Sequence, residues 1–255
     1  MPLELVTLPC LADNYAYLLH NAVTGQTALV DAPEDFPIQR ALEERGWRLD
    51  LILLTHHHWD HIDGVEPLRA AYGAKVIGAA ADAHRLPKLD LAVKEGDVIE
   101  VLGEPAHVID VSSHTVGHIA FYMPDAGLVF TADSLMALGC GRLFEGTPAQ
   151  MWQSLLKLRA LPPETVVCSG HEYSAGNARF ALTIEPGNAA LRARAEEIAA
   201  QRGRGEATVP SRLSEEIATN PFLRADLPEV KAAVGLQGAE DAAVFAHIRA
   251  RKDKF

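Results

Sequence analysis

Cysteine is scarce. The 255 residues contain three, Cys10, Cys140 and Cys168, an odd number with no CxxC spacing. That argues against a disulfide framework and a thiolate zinc knuckle, and leaves small buried apolar side chains as their ordinary role. Positive charge is also in deficit: 23 Lys and Arg face 34 Asp and Glu, a formal net charge of −11. Such a balance points away from a general phosphate-backbone binder and from adsorption to anionic membrane, so neither nucleic acid nor membrane is expected as a partner. No apolar run approaches the roughly 18 residues that span a bilayer. The opening "MPLELVTLPCLADNYAYLL" lacks the basic and continuous apolar regions of a secretory signal, and a cytoplasmic protein is expected. Several catalytic signatures are missing too: there is no GxSxG elbow, no HExxH helix and no GxxxxGK[ST] phosphate loop. "GCGRLFEG" (139–146) is glycine-rich but without GxGxxG spacing, which argues against nucleotide binding there.

What is present is enough apolar residue, 48%, to build a sizeable core. Up to about residue 172 the pattern is one of short strands, at 3–8, 15–21, 27–31, 50–55, 74–77, 98–102, 107–111, 119–123, 128–131 and 165–168. Helical spacing covers 38–45 and 65–72, each followed by a glycine, and Thr147 with Pro148 predicts a capped helix running to about Arg159. Beyond His171 strand signals vanish, and 188–203 and 239–255 read as helices with an apolar face. "RGRGEATVPSRLS" (202–214) reads as a flexible connection. The pattern predicts an α/β part followed by a smaller helical part.

The chemistry concentrates in "LLTHHHWDHIDG" (53–64). An apolar strand delivers the chain to a polar loop, and in extended backbone His56 and His58 share one side while His57 faces the other. Asp60 and His61 follow as a second pair. Neutral imidazole is the commonest ligand of borderline divalent ions, and carboxylates complete such sets. Further candidates end later strands: His114 in "SSHTVGH", Asp133 in "FTADSL" and His171 in "CSGHEY". One such residue at a strand end is ordinarily a hydrogen-bonded surface group, but seven, five of them histidine, reverse that expectation. The set suggests two ions: His56, His58 and His114 for one, Asp60, His61 and His171 for the other, with Asp133 between them. His20, His57, His84, His107 and His247 keep ordinary roles, His118 is expected to support a ligand, and Asp63 is expected to be a loop carboxylate.

THxHxDH, followed by a histidine in HTxGH, an aspartate in FTxDxL and a histidine after a strand, resembles the metallo-β-lactamase superfamily. That resemblance implies an αββα sandwich, shared by lactamases, lactonases, nucleases, thioesterases and some oxidoreductases, so fold alone leaves the substrate open. "GCGRLFEGT", "GHEYSAGNARFAL", "EPGN", "NPFLR" and the terminal "RARKDKF" resemble more narrowly the glyoxalase II family of hydroxyacylglutathione hydrolases. This implies a binuclear catalytic domain over 1–172 and a smaller all-α, glutathione-binding domain over 173–255. It also implies hydrolysis of S-D-lactoylglutathione to glutathione and D-lactate, the second step of methylglyoxal detoxification, by a monomer acting on a small-molecule substrate. The same seven ligands carry over, with two divalent ions, zinc foremost and iron or manganese also accommodated.

The family's glutathione contacts fall on Arg142, Phe144, Tyr173, Arg249 and Lys252. In this reading a hydroxide bridging the ions attacks the thioester, oriented by Asp60 as the catalytic residue. Two departures stand out. Ser112 and Ser113 replace the Pro and Gly common before the third histidine, and Phe144 stands where some members have tyrosine. The alternatives carried by the same fold are a lactonase, a β-lactamase, a glutathione persulfide dioxygenase, or a non-catalytic metal-binding module.

Overall fold

A computed structural model describes residues 3–255. The chain divides into two compact units, one running to Asp110 and resuming over Thr115–Thr131, the other made of Val111–His114 and Ala132–Phe255.

The first unit opens with β1 (Glu4–Cys10), β2 (Asn14–Asn21) and β3 (Gln26–Val30), an antiparallel meander. After α1 (Phe36–Arg45), the strand β4 (Leu51–Leu53) lies parallel to β3. A single helical turn, α2 (Trp59–Ile62), and α3 (Val65–Tyr72) lead to β5 (Lys75–Ala79) and β6 (Leu91–Val93), again parallel. The six strands stand in sequential order. Helices α1 and α3 end where the sequence predicts, each on a left-handed glycine, Gly46 and Gly73. A second, antiparallel set follows: β7 (Val98–Val101), β8 (Glu104–Asp110), β9 (Ile119–Met123) and β10 (Leu128–Ala132). Tyr17 of β2 meets Phe130 of β10 edge-to-face, 5.8 Å between ring centroids. Two sheets in contact with helical crossovers outside give the αββα sandwich that the resemblance implies. One core of this unit joins Leu18, Leu29, Ile52 and Val76 of the first sheet to Ile38, Leu42, Val65 and Leu68 of α1 and α3.

The second unit begins with a hairpin, β11 (Leu135–Met136) and β12 (Gly139–Cys140). Helix α4 (Pro148–Arg159) starts on a reciprocal capping box between Thr147 and Gln150, with Pro148 in its first turn, as the sequence predicts. Next come β13 (Val166–Ser169), α5 (Ser174–Ile184), α6 (Ala189–Gly203), β14 (Ser211–Arg212), α7 (Leu213–Thr219), α8 (Pro228–Ala233) and α9 (Asp241–Lys252). The stretch expected to be a flexible connection is tied down instead. Thr208 donates through N (2.8 Å) and Oγ1 (2.5 Å) to Glu172, and Ser211–Arg212 pairs antiparallel with β13. Glu216, fully buried, gathers Arg194, Ser211, Asn220 and the Leu138 amide, fixing α7 beneath the hairpin. Among the described residues no helix is long and apolar enough to cross a membrane.

Candidate metal centre

Strands β3, β4 and β5 are adjacent and parallel, so whatever follows their C-terminal ends shares one rim of the sheet, the usual place for a site in parallel α/β structure. Asp31 follows β3, the histidine loop follows β4, and Asp82 lies three residues beyond β5.

In the first unit His56 and His61 are fully buried, while His58 and Asp60 are partly so. The buried Asp31 carboxylate orients both buried histidines. Its Oδ2 accepts from His61 Nδ1 at 2.8 Å and from the Thr55 hydroxyl at 2.8 Å. Because the Thr55 proton is spent on Asp31, its oxygen is left to accept from His56 Nδ1, 3.0 Å away. Both rings therefore carry their proton on Nδ1 and keep the Nε2 lone pair, the tautomer a metal needs. His56 Nε2 lies 3.2 Å from His58 Nδ1. Asn14 Nδ2 donates to Asp60 O at 2.9 Å and Asp60 Oδ2 at 3.1 Å, holding that carboxylate.

His57 turns the other way, as alternation predicts, and its Nδ1 donates to Asp82 at 2.7 Å. His118, fully buried, stacks on His56 with ring centroids 4.6 Å apart and planes 9° from parallel. The remaining histidines are accounted for: His20 bonds Thr27 Oγ1 and stacks on Trp47, and His84, His107 and His247 are exposed, as is Asp63.

The second unit brings together His114, Asp133 and His171, all buried. His114 Nδ1 donates to the Arg142 carbonyl at 2.8 Å, so its Nε2 again keeps the lone pair; that nitrogen lies 3.4 Å from Asp133 Oδ2. His171 Nε2 lies 3.3 Å from Asp133 Oδ1. Gly141 allows the close approach of this loop, since a Cβ there would collide with the Asp133 carbonyl and the His114 ring. The glycines of "GCGRLFEG" thus serve close packing, Gly141 against ligand residues, Gly139 against Asn177 and Gly146 against Ser113.

The donor spacings test the fit to a divalent ion. A tetrahedral ion with bonds of about 2.0–2.1 Å sets neighbouring donors about 3.3–3.4 Å apart. The three donor contacts, 3.2, 3.3 and 3.4 Å, match that edge length, and the donor set of imidazole and carboxylate suits zinc, iron or manganese. The two units therefore carry groups of side chains chemically and geometrically suited to divalent metal.

The residues expected to touch glutathione all lie in this second unit. The Tyr173 ring is stacked on His171, centroids 4.6 Å apart and planes 7° from parallel, and is partly exposed. Phe144 is exposed and meets the His114 ring edge-on at 5.3 Å. Arg142 is exposed. Lys252 is half-buried; its Nζ reaches the Gly176 carbonyl at 3.4 Å and sits 5.3 Å from the Phe180 and Phe255 ring centroids. Burial, together with Arg249, Arg179 and Arg142 nearby, pushes its ammonium below the ordinary lysine range. Arg249 is turned inward. Its guanidinium donates to the Cys140 carbonyl at 2.9 Å and pairs with Asp253 at 2.9 Å, 5.1 Å from the Phe222 ring centroid.

Sequence reasoning missed Asp31, Asp82 and Asn14. Each is a single polar residue without a motif, and the one available signal was position, just past a strand or at the start of one.

Sandwich and donor groups together define a metallo-β-lactamase superfamily protein, and the family model of that name matches residues 13–171. A second model, the hydroxyacylglutathione hydrolase C-terminus, matches 172–255. A hydroxyacylglutathione hydrolase from Ruegeria pomeroyi is 66% identical over the full length of both chains. Among solved structures, ETHE1 from Myxococcus xanthus superposes with a TM-score of 0.67 at 25% identity, covering 98% of this chain and 90% of that one. The TTHA1623 protein in a di-iron-bound form gives 0.61 at 27% identity, covering 86% of this chain and 100% of that one. The chain belongs to the hydroxyacylglutathione hydrolase family.

Proposed function

We propose that this protein hydrolyses S-D-lactoylglutathione, and related S-2-hydroxyacylglutathiones, to glutathione and the free hydroxy acid. The observation that carries the reading is the match of the hydroxyacylglutathione hydrolase C-terminus to 172–255, the segment that holds Lys252 and places Tyr173 on the His171 ring. The full-length relative favours this thioesterase over a lactonase, a β-lactamase or a persulfide dioxygenase.

In this reading the two side-chain groups act together on two divalent ions, zinc foremost. His56, His58 and His114 hold one, Asp60, His61 and His171 the other, and Asp133 is shared. When bound, such ions lower the pKa of water to about 7 and stabilise negative charge developing on a carbonyl oxygen. The protein's own residues supply the rest. Asp60, steadied by Asn14, accepts a hydrogen bond from the attacking water and orients it toward the thioester carbon. Asp31 and the Arg142 carbonyl keep His61, His56 and His114 in the ligating tautomer.

Lys252 and Arg142 receive the anionic tripeptide, Tyr173 offers a hydroxyl, and Phe144 an apolar face. Arg249 acts through the hairpin, holding the Cys140 carbonyl and so the loop that reaches Phe144. The proposed division of labour is catalysis over 1–172 and glutathione recognition over 173–255, in a monomer resident in the cytoplasm.

The test compares thiol release from S-D-lactoylglutathione with turnover of a β-lactam and of a lactone by metal-reconstituted protein. Selective turnover of the thioester supports the reading. Preference for either of the others would replace it.

A further inference from the structure

The Asp82 carboxylate is fully buried and plays no part in the chemistry above. It lies just past β5, the parallel neighbour of β4, so chain topology delivers it beside the histidine loop. Three features meet on it. His57 Nδ1 donates to Oδ2 at 2.7 Å. Arg85, one helical turn on, donates to Oδ1 through Nε at 2.7 Å and through its second nitrogen at 2.5 Å. On the remaining side the carboxylate abuts the Gly117 backbone so closely that a Cβ at 117 would overlap it.

Both neighbours of Asp82 bear on His56. His57 is the chain neighbour of His56 and His58, and in alternating backbone the direction of its ring fixes the direction of theirs. Gly117 precedes His118, whose ring lies flat against His56. One buried anion therefore registers the loop that presents two donors and the loop that backs one of them. Arg85 offsets its charge, which keeps a carboxylate tolerable in a fully enclosed position. An ordinary structural ion pair would need only Arg85. The fit against a glycine and the bond to the residue between two donors are what a purely local pair does not require.

From this arrangement we infer that Asp82 is a positioning residue for metal binding, acting through His57 and Gly117 to hold His56 and His58 with their nitrogens converged. The inference rests on the proposed metal function of those histidines. Removing a group that orients ligands typically costs about 10–100-fold in metal affinity, and that is the expected size here.

The experiment is zinc affinity by competition with a chromophoric chelator, with thermal unfolding of the metal-free proteins alongside, for wild type, Asp82→Ala, Asp82→Asn and His57→Gln. Asp82→Ala is expected to weaken the tightest zinc by about 10–100-fold, and Asp82→Asn, which can still accept from His57, by less. His57→Gln is expected to weaken it too, and His57→Gln combined with Asp82→Asn to be no worse than the more severe single change. Unchanged affinity in Asp82→Ala, or a lowered unfolding temperature with unchanged affinity, would overturn the inference. If Asp82→Ala does not fold, His57→Gln decides on the same readout, because His57 is partly exposed and its replacement leaves the Asp82–Arg85 pair in place. A wild-type protein that bound no zinc would instead overturn the proposed metal function.

Discussion

Asp60 and Ser113 show how much a single side chain can be asked to do beside a ligand. Asp60→Asn keeps the volume and the Asn14 contact to the backbone but removes a carboxylate. We expect an intact fold, a loss of about 10²–10⁴-fold in turnover, and a protein short of one ion; unchanged turnover with full metal content would contradict its role. Ser113, directly before His114, has φ +139°, a region essentially reserved for glycine. Its hydroxyl donates to the Thr147 carbonyl at 2.9 Å, and its carbonyl accepts from Gly146 at 3.0 Å, lashing the hairpin loop to the ligand. Strain of about 1–3 kcal/mol stands against a hydrogen bond of about 0.5–1.5 kcal/mol. Ser113→Ala keeps the strain and loses the bond, while Ser113→Gly loses both. Thermal unfolding should therefore rank Gly above Ala, the reverse of the order at an ordinary φ, where glycine costs about 0.5–1 kcal/mol.

At the level of elements, α9 carries Lys252, one of the two proposed substrate cations, and also buries Val244, Phe245 and Ile248. Deleting it would open the core of its unit, so a point change is the cleaner test. Lys252 sits below the ordinary lysine range, first because of burial and then because of neighbouring cations. A folded value below the unfolded one means that the protonated form costs stability. That cost is present below the folded value and fades as pH rises through it toward the unfolded value. Substrate anions, in contrast, need the proton. KM for the glutathione thioester should therefore climb as pH passes the lowered value, earlier than for a lysine in water. Lys252→Arg, which stays charged, should abolish the climb. A wild-type KM flat through the ordinary lysine range would count against Lys252 as a substrate contact.

Strand and helix periodicity was legible for some elements: β9, α3 and α4 fall on the expected residues, with Gly73 and Thr147 at the expected ends, whereas the helix α5 was not read. The two-residue strands of β11, β12 and β14 were not, because two residues carry no period and pairing partners supply the structure. Residues 202–214 read as flexible on turn chemistry, whereas Glu172 and β13, some 30 or more positions earlier, hold them. The same distance in sequence hid Asp31 and Asp82: one carboxylate has no pattern until its histidine partner, 30 or 25 residues away, is brought to it.

For the molecule as a whole, the three thiols are buried and far from reactive. Desolvation pushes Cys10 up to about 12 and, despite Arg249 beside it, Cys140 up to about 11; Cys168 is raised further still. A thiol reagent at pH 8 should therefore label the native protein slowly, at a rate tracking global unfolding. Rapid labelling of any one cysteine would contradict its packing. The same inertness means that thiol released during turnover reports product alone.

The central claim, a two-ion thioesterase, is tested most directly by titrating metal-free protein with zinc while following thiol release from S-D-lactoylglutathione. The account predicts that turnover rises to a plateau at about two ions per chain, the nuclearity expected of a two-metal site. A plateau at one ion, or no turnover with both bound, would contradict it.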